Sequence, residues 1–418
     1  MNYVPQPKLS PTKLSATEPA QPKPLSIYIV AGEESGDALG ASLADTLRAN
    51  RGEAFNLAGV GGRAMAAAGI LSPFAIDDLS IIGFTAIPRR LPLILRRIRE
   101  TADAIIAARP DVLVIVDSPD FTHRVARRVR AAAPAIPIID YVSPSVWAWR
   151  PGRARAMRGY VDCVLAILPF EPATHVRLGG PPCLYIGHPL IERLARLRPN
   201  VEELQMRRTD PPRVLVLPGS RSSEIRRLLA IFGDAITQVA ASAGPMELIL
   251  PTLPHLASAV REGVASWTVK PRVITESEEK LAAFRTARAA LAASGTVTLE
   301  LALAGVPTVA AYRVPLIEEV IAHLVGLRAR LASVILANLV IGENVVPEFL
   351  QRDCTPGILA RALVPLLSDT SERARQVEAF GRLDQIMAVD AAPSVKAGAI
   401  VVEVARAGRR DLAAVQRR

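Results

Sequence analysis

The sequence predicts an α/β protein with two parallel, helix-covered sheets. Short apolar runs rich in β-branched residues alternate with helical segments, as in βαβ units. This rhythm stops in a charged, proline-bearing stretch at about 192–212 and then restarts. At 418 residues the chain also exceeds what one hydrophobic core usually fills. The predicted organisation is a disordered Pro-rich tail at 1–25, a first sheet domain at 26–195, a second at 210–367, and C-terminal helices at 368–418 that fit either half.

Eleven apolar runs are the predicted strands. Those of the first half are SIYIVAG, NLAGVGG, DVLVIVDS, IPIIDYVS, CVLAILP and CLYIGHP, and those of the second are RVLVLPGS, ELILPT, PRVITES, ARAALAAS and VPTVAAYR. Parallel strands need crossover connections, and the segments between the runs are read as the helices that supply them. Ligands of such sheets bind beyond the carboxyl ends of the strands, so functional groups are expected directly after each run.

Composition and charge restrict the functional classes. Half of the residues are hydrophobic but only 4% are aromatic, which is typical of helices packed on parallel sheets. The formal net charge of +10 indicates attraction to nucleic acid, an acidic membrane face or phosphorylated substrates. The arginines lie in short groups without stacking aromatics or a known nucleic-acid-binding module. No nucleic-acid partner is therefore expected.

Cysteine usage and hydropathy indicate a soluble or membrane-peripheral protein of a reducing cytoplasm. Cys163, Cys183 and Cys354 are widely spaced and form no CxxC, so neither a disulfide framework nor a metal site is expected. The first 25 residues lack the apolar segment of a secretory signal. No uncharged apolar run reaches the roughly 20 residues that span a bilayer.

The run VLVLPGSRSSEIRRLL in the second half predicts an anion cradle. A strand and a tight turn at Gly219 precede a helix that opens at Ser220 and Arg221. Free backbone N–H groups, the positive end of the helix dipole and a guanidinium fork all suit phosphate oxygens. An ordinary strand-to-helix turn with a solvated arginine is the alternative, because GSR is too short to be specific.

The run LAASGTVTLELALAGVP repeats this plan. Ser294, Gly295 and Thr296 open a helix, and Glu300 follows one turn later. A carboxylate one turn into the helix is placed to accept hydrogen bonds from both hydroxyls of a ribose, while the turn before the helix binds a diphosphate. The alternative is a helix-start Glu favoured by the dipole. Two such turns in one half favour a nucleotide-binding domain.

In the first half, polar residues follow the first and third strands. YIVAGEESGDALG places Glu33, Ser35 and Asp37 after the first strand, but its glycine spacing is not GxGxxG, which argues against a Rossmann dehydrogenase. DVLVIVDSPDFTHR places Asp117 at a strand end, followed by two polar residues. A carboxylate there suits removal of a proton from a hydroxyl nucleophile. Helix capping is the alternative for Asp117, and Asp120 and His123 are alternative bases.

The segment 81–108 combines an apolar loop with an amphipathic helix. Core packing alone also explains an apolar stripe at helical spacing. However, Leu93 lies off that stripe, and arginines beside apolar side chains suit anionic lipid headgroups. The predicted membrane contact consists of Phe84, Ile87, Leu91, Leu93, Leu95, Arg96 and Arg97.

The segment VSPSVWAWR contains two of the three tryptophans of the chain, Trp147 and Trp149. They follow a buried-looking strand and stand beside Ser143 and Arg150. A packed aromatic loop is the alternative, but this concentration of tryptophan favours a binding site.

The motifs AGEESGD, GVGG, VDSPDF, YVSPSVWAWR, LPFE, GHPL, LPGSR, ASGTVTLE and AYR resemble, in order and spacing, those of the lipid A disaccharide synthase family from about residue 26 onward. YVSPSVWAWR is the most specific of them. The resemblance implies a GT-B fold, in which two Rossmann-like domains face a cleft. It also implies an inverting, metal-independent transfer from UDP-2,3-diacylglucosamine to the 6-hydroxyl of 2,3-diacylglucosamine 1-phosphate (lipid X). The products would be a β(1→6) disaccharide 1-phosphate and UDP.

The resemblance further implies residue roles. Asp117 corresponds to the family's suspected general base, and no cofactor is implied. The UDP-sugar site would consist of Gly219, Ser220, Arg221, Ser294, Gly295, Thr296, Glu300, Tyr312, Arg313 and Asn338. The acceptor side would consist of Glu33, Ser35, Asp37, Ser143, Trp147, Trp149, Arg150 and His188. Ala337 stands where the family commonly has a proline, which bears on the geometry of Asn338.

The implied partners are the two acylated sugars and an anionic membrane surface, on the cytoplasmic face of the inner membrane of a Gram-negative bacterium, with a homodimer as one option. A UDP-N-acetylglucosamine 2-epimerase or a lipid-linked glucosaminyltransferase is the nearest alternative, since each would use a similar second half. An epimerase has no use for an apolar, arginine-flanked surface. A non-catalytic lipid or nucleotide binder of the same fold is the alternative from a different class.

Overall fold

The computed structural model describes residues 23–50, 52–79, 87–314 and 333–409. Within these ranges, twelve strands form two parallel six-stranded sheets. The predicted α/β fold class with two parallel sheets is therefore confirmed. The predicted tail at 1–25 lies outside the described residues as far as residue 22.

The first sheet has the strand order β2-β1-β3-β4-β5-β6. Its strands are β1 (Leu25–Ala31), β2 (Phe55–Val60), β3 (Val112–Val116), β4 (Ile138–Tyr141), β5 (Cys163–Ala166) and β6 (Cys183–Tyr185). Its helices are α1 (Glu34–Ala49), α2 (Arg63–Ala67), α3 (Ile87–Ala108), α4 (Pro119–Ala132), α5 (Gly152–Met157) and α6 (Glu171–Leu178). Every residue of β3 is buried, as expected of a parallel strand that helices cover on both faces.

The second sheet has the order β12-β11-β10-β7-β8-β9 and follows two short helices, α7 (Leu194–Leu197) and α8 (Val201–Met206). Its strands are β7 (Arg213–Leu217), β8 (Glu247–Pro251), β9 (Arg272–Ile274), β10 (Ala289–Ala293), β11 (Thr308–Tyr312) and β12 (Glu348–Leu350). Its helices are α9 (Ser222–Ala243), α10 (Ala257–Val264), α11 (Ser277–Thr286), α12 (Thr296–Leu303), α13 (Leu336–Ile341) and α14 (Pro356–Leu363). Strand β12 was not predicted, because a three-residue edge strand carries little apolar pattern.

The last two helices pack on different halves. In α15 (Ser371–Ile386), Phe380 belongs to the core of the second half, whereas in α16 (Pro393–Ala407), Val401 belongs to the core of the first. The chain therefore passes between the halves twice. A hydrogen bond links the two passages: the hydroxyl of Tyr185, at the end of β6, donates to the carbonyl of Met387, directly after α15, at 3.0 Å.

Helix α3 is amphipathic, as predicted. Ile98 and Ile105 are buried in the first half, whereas Leu91 and Leu95 are 43% and 36% exposed. Leu93 is half-buried, and Phe84 and the side chain of Ile87 lie outside the described residues. No helix within the described ranges is both long and apolar enough to cross a bilayer.

The two arginines predicted to face lipid differ. The Arg96 side chain is 61% exposed and pairs with Glu100 at 3.5 Å. The Arg97 side chain is only 19% exposed, forms ion pairs with Asp78 at 2.6 Å and Glu100 at 2.8 Å, and lies over the Phe74 ring. These neighbours neutralise the charge of Arg97 inside the fold, which favours Arg96 over Arg97 for the lipid contact that stays a prediction.

Candidate active site

Each sheet reverses its direction of strand addition at one point, and ligands of open parallel sheets bind in the crevice at that point. In the first sheet the reversal lies between β1 and β3, and in the second between β7 and β10. Asp117, the GSR residues and the SGT residues follow three of these four strands, and Glu33 and Ser35 follow the fourth. These predicted groups therefore lie at the positions where such sheets bind ligands.

A cavity of about 560 Å³ opens at the reversal of the second sheet. Its volume is in the range of small-molecule sites. The cavity is lined by Leu217, Gly219, Ser220, Arg221, Glu224, Pro251, Thr252, Leu253, Ile274, Thr275, Glu276, Ser277, Lys280, Ala293, Ser294, Gly295, Thr296, Val297, Glu300 and Tyr312. Eight of the ten residues predicted for the UDP-sugar site are among them.

The turn at Gly219, Ser220 and Arg221 (the GSR turn) forms an anion cradle, but the hydrogen-bond donors of this cradle already have a partner. The amides of Ser220 and Arg221 donate to Glu224 Oε2 at 3.0 and 3.3 Å, and Arg221 Nη1 lies 3.2 Å from Glu224 Oε1. Gly219 adopts φ +119°, and a Cβ there would lie 2.4 Å from Glu224 Oε2. The expectation of free backbone N–H groups at Ser220 and Arg221 is therefore wrong, since a carboxylate of the chain itself occupies them.

The turn at Ser294, Gly295 and Thr296 (the SGT turn) leaves its backbone open to the approach of a ligand. An added Cβ on Gly295 would meet nothing within 4 Å. The Thr298 hydroxyl donates to the Gly295 carbonyl at 2.8 Å, which fixes the start of α12. Glu300 lines the cavity and accepts from Lys280 Nζ at 2.8 Å. A ligand hydroxyl that reaches Glu300 would therefore join an existing ion pair.

Two of the predicted UDP-sugar residues do not line this cavity. Asn338 is 2% exposed, and its amide donates to Ser333 and Val346 and accepts from the backbone of Val345 and Val346. All four hydrogen-bonding positions of that amide are used within the fold. Arg313 is exposed, and its Nε donates to the Gln351 carbonyl at 3.3 Å. Neither residue lines this cavity in the structure, and their contact with a UDP-sugar stays a prediction.

At the first reversal, Asp117 has the geometry of a held carboxylate. Its Oδ2 accepts from the Ser35 hydroxyl at 2.9 Å, and its Oδ1 accepts from the amide of Ser118 at 2.8 Å. Asp117 and Ser118 have φ values of 52° and 46°. Two consecutive non-glycine residues in the left-handed region store strain of the kind found at functional sites.

The two alternative bases are placed differently. The Asp120 carboxylate is 84% exposed and pairs with Arg153 at 3.1 Å. His123 is 3% exposed, and its two ring nitrogens lie 3.1 Å from the Tyr160 hydroxyl and 3.1 Å from Asp140 Oδ2. Because both of its nitrogens are engaged inside the fold, His123 is not a base for a bound substrate.

The VSPSVWAWR loop divides into a packed part and an exposed part. Ser143 is 5% exposed and its hydroxyl lies 2.8 Å from His175 Nε2. Trp147 stacks edge-on against Phe170 at 5.5 Å and packs against the cluster that contains the core of the second half. Both side chains thus hold the loop from inside the fold, and the acceptor contacts predicted for them stay a prediction. The half-exposed Trp149 ring lies 5.3 Å from the guanidinium of the exposed Arg150.

Two further residues predicted on the acceptor side are internal. Asp37 is 5% exposed, and its carboxylate accepts from the amides of Gly62, Ala64 and Met65 at 2.7 to 3.0 Å. His188 is 6% exposed, and its Nδ1 accepts from the Leu190 amide at 3.1 Å. Both side chains stabilise the turns around them, and the acceptor contacts predicted for them stay a prediction. Glu33 and Ser35 remain exposed at the end of β1.

Comparison with known proteins identifies the family. The family model for lipid-A-disaccharide synthetase matches residues 27–392. A lipid-A-disaccharide synthase of Bradyrhizobium diazoefficiens is 60% identical over 385 residues, which cover 92% of this chain and 97% of the relative. One from Rhodospirillum centenum is 41% identical and covers 91% of this chain and 95% of its own. The chain belongs to the lipid-A-disaccharide synthase family. It is therefore a glycosyltransferase of lipid A biosynthesis.

Solved structures of low sequence identity share the fold of this family member. The S. aureus MnaA-UDP co-structure matches with a TM-score of 0.60 at 11% identity, covering 92% of this chain and 96% of that one. Acinetobacter baumannii MurG matches with a TM-score of 0.57 at 16% identity, covering 91% and 99%. At these identities the comparison concerns the fold alone. The predicted GT-B architecture is confirmed.

In this lipid-A-disaccharide synthase family member, sequence reasoning missed Glu224 and Lys280. Glu224 lies in the first turn of α9, and Lys280 in the first turns of α11. The rule that function follows strand ends would have reached Lys280, since α11 comes directly after β9. Glu224 has a weaker signal, because a glutamate three residues after a helix start also predicts a capping box.

Glu171, the last residue of the LPFE motif, is buried in this family member, and we expect it to make stability depend on pH. It is 2% exposed, and burial raises its pKa to about 7. A carboxyl group whose pKa is raised by folding stabilises the fold below its ordinary pKa, and that stability is lost as pH rises to the folded value. Between about pH 4.5 and 7, the wild type should lose about 3 kcal/mol relative to Glu171→Gln, which stays neutral.

Thermal melting of both proteins across this pH range measures the effect. His188, whose pKa burial lowers to about 4, destabilises the fold as pH falls below 6.5 and is common to both proteins. The difference between their melting temperatures therefore isolates Glu171. A difference that stays constant with pH would mean that the Glu171 carboxyl does not titrate in this range.

Proposed function

We propose that this family member transfers 2,3-diacylglucosamine from UDP-2,3-diacylglucosamine to the 6-hydroxyl of 2,3-diacylglucosamine 1-phosphate. The products are the β(1→6) disaccharide 1-phosphate and UDP. The observation that carries the proposal is the cavity at the second reversal, where the GSR turn, the SGT turn and Glu300 line one space. Helix N-termini and Arg221 suit the diphosphate, and Glu300 suits the ribose.

Asp117 is the proposed general base. It removes the proton of the acceptor 6-hydroxyl as that oxygen attacks the anomeric carbon from the face opposite UDP. The new carbon–oxygen bond forms as the bond to the UDP oxygen breaks, so the configuration inverts. Ser35 donates to Oδ2 and thereby holds the carboxylate in position. The proton passes from Asp117 to solvent after the products leave.

The negative charge that develops on the departing UDP is met by the chain itself. The first turns of α9 and α12 line the cavity with the positive ends of their helix dipoles, and Arg221 adds a guanidinium that can turn from Glu224 to the departing diphosphate. In the transition state these groups would stabilise the negative charge that develops on the departing UDP oxygen. The rate is accordingly expected to persist in a metal chelator.

UDP release from purified protein tests the proposed reaction. With both acylated sugars present, UDP should accumulate with or without chelator, and omission of either sugar should abolish it. UDP release without acceptor would indicate hydrolysis of the donor instead. No release in the complete mixture would contradict the proposal.

Both substrates carry acyl chains anchored in a membrane, so the proposed site of action is the cytoplasmic face of the inner membrane of a Gram-negative bacterium. The exposed Leu91 and Leu95 lie one helical turn apart on α3, beside the exposed Arg96. Apolar side chains flanked by arginine suit the boundary between lipid headgroups and acyl chains. We propose this surface as the membrane contact.

Replacing Leu91 and Leu95 together by Ser should weaken binding to anionic phospholipid vesicles by about tenfold or more, because two partly inserted leucines are lost. Cosedimentation with vesicles measures it. Leu204→Ser is the matched control, since Leu204 is 47% exposed on the other half of the molecule. Equal vesicle binding by the double variant and the wild type would mean that Leu91 and Leu95 do not contact the membrane.

Replacing Glu300 by Ala should weaken UDP binding by about tenfold or more, because hydrogen bonds to a charged acceptor are lost. Calorimetric titration with UDP and with 2′,3′-dideoxy-UDP measures the ribose role directly. If Glu300 binds the ribose hydroxyls, the variant should no longer distinguish the two ligands. A variant that loses affinity for both yet still distinguishes them would assign the effect to the unpaired Lys280.

A further inference from the structure

The carboxylate of Glu224 lies where the donor diphosphate is expected to bind. It accepts from the amides of Ser220 and Arg221 and pairs with the Arg221 guanidinium. Its side chain is only 9% exposed, yet it lines the cavity. A carboxylate has the charge sign and the acceptor oxygens of a phosphate, so Glu224 satisfies the cradle donors as a phosphate would.

A capping box explains only part of this arrangement. In a capping box the glutamate at the third helical position accepts from the amide of the N-cap residue, which here is Arg221. Glu224 takes two further donors, the Ser220 amide and the Arg221 side chain. The absence of a Cβ at Gly219 also makes room for Oε2, because a Cβ would lie 2.4 Å away. The turn is therefore built around the carboxylate.

A diphosphate and this carboxylate exclude each other from the cradle. They compete for the same N–H groups, and two anions at hydrogen-bonding distance repel in a half-enclosed site. A ligand bound there therefore has to displace Glu224. The same exchange in reverse favours departure of UDP after transfer.

We propose that Glu224 is a resident anion that occupies the phosphate cradle in the empty enzyme, competes with the donor diphosphate and so sets UDP affinity. This inference rests on the proposed donor site. It assigns Glu224 a positioning role: the residue keeps the GSR turn formed without ligand and yields its donors to the diphosphate.

Calorimetric titration with UDP tests the proposal on the wild type and two variants. Glu224→Gln should bind UDP about fivefold or more tightly than the wild type, because a neutral amide oxygen holds the cradle donors about half as strongly. Glu262→Gln is the matched control. Glu262 is an exposed residue of α10 in the same half of the molecule and does not line the cavity, so its loss of charge should change UDP affinity less than about twofold.

A crystal structure of the wild type with UDP gives a second, independent test. The Glu224 carboxylate should have left the amides of Ser220 and Arg221, with diphosphate oxygens in its place. Weaker or unchanged UDP binding by Glu224→Gln, equal tightening by both variants, or a carboxylate still bonded to both amides beside UDP would overturn the proposal. A wild type that binds no UDP would instead refute the proposed donor site.

Discussion

Asp117→Asn is expected to lower kcat by about 100-fold or more, with UDP affinity within about twofold of the wild type. The amide keeps the size of the carboxylate: its oxygen can accept from the Ser118 amide while its NH2 group donates to the Ser35 hydroxyl, so the turn should survive. What is lost is the ability to take the proton of the attacking hydroxyl. Initial rates with both acylated sugars, together with a UDP titration, separate the chemical step from donor binding.

Asp120→Asn is the matched control for this experiment. It removes the same charge three residues along the chain, from a carboxylate that is 84% exposed and paired with Arg153. Its rate should stay within about threefold of the wild type, as for most exposed ion pairs. A near-normal rate for Asp117→Asn combined with a large loss for Asp120→Asn would transfer the role of base to Asp120.

Arg221→Ala is expected to lower kcat/KM by about 100- to 1000-fold, the usual cost of losing one donor to a developing negative charge. The Arg221 side chain is 74% exposed at the cavity and is free to reorient toward a ligand once Glu224 yields. Arg221→Lys keeps the charge but loses the two-pronged geometry, so its rate should be intermediate. Steady-state kinetics with varied donor measure the loss.

Arg227→Ala controls for the change in net charge. Arg227 lies on the same helix, α9, but its Nη1 donates to the Arg313 carbonyl instead of facing the cavity. Its removal should change kcat/KM by less than about threefold. Equal losses in Arg221→Ala and Arg227→Ala would mean that the overall positive field matters more than a contact with the leaving diphosphate.

The positions of the site were predictable because they follow from strand ends and strand order. Apolar runs locate the carboxyl ends of parallel strands, and the groups after β1, β3, β7 and β10 meet where the sheets reverse. Ser294 and Glu300 reach the cavity for this reason. The local spacing of a helix start is enough to predict such placements.

The orientation of individual side chains was not predictable, since it depends on partners distant in the sequence. Asp37 bonds to three amides of the segment 62–65, and Ser143 meets His175 on another helix. The Asn338 side chain likewise accepts hydrogen bonds from the amides of Val345 and Val346, in the turn that follows its helix. The type and spacing of a polar residue near a site do not show whether its side chain faces a ligand or stabilises the neighbouring turn.

The amphipathic helix α3 shows the same limit. Ile98 and Ile105 of its apolar stripe are buried, whereas Leu91 and Leu95 at the start of the same stripe are exposed. The partners of Arg97, by contrast, include Asp78, which lies outside the helix. Periodicity alone therefore did not distinguish an arginine that pairs inside the fold from one that faces solvent.

The product formed from the two acylated sugars tests the central claim most directly. Mass spectrometry and NMR of the lipid made by the wild type should show one tetraacylated disaccharide 1-phosphate, joined by a β(1→6) linkage, in amounts equal to the UDP released. A free monosaccharide, an epimerised UDP-sugar or an α-linked disaccharide as the product would contradict the account.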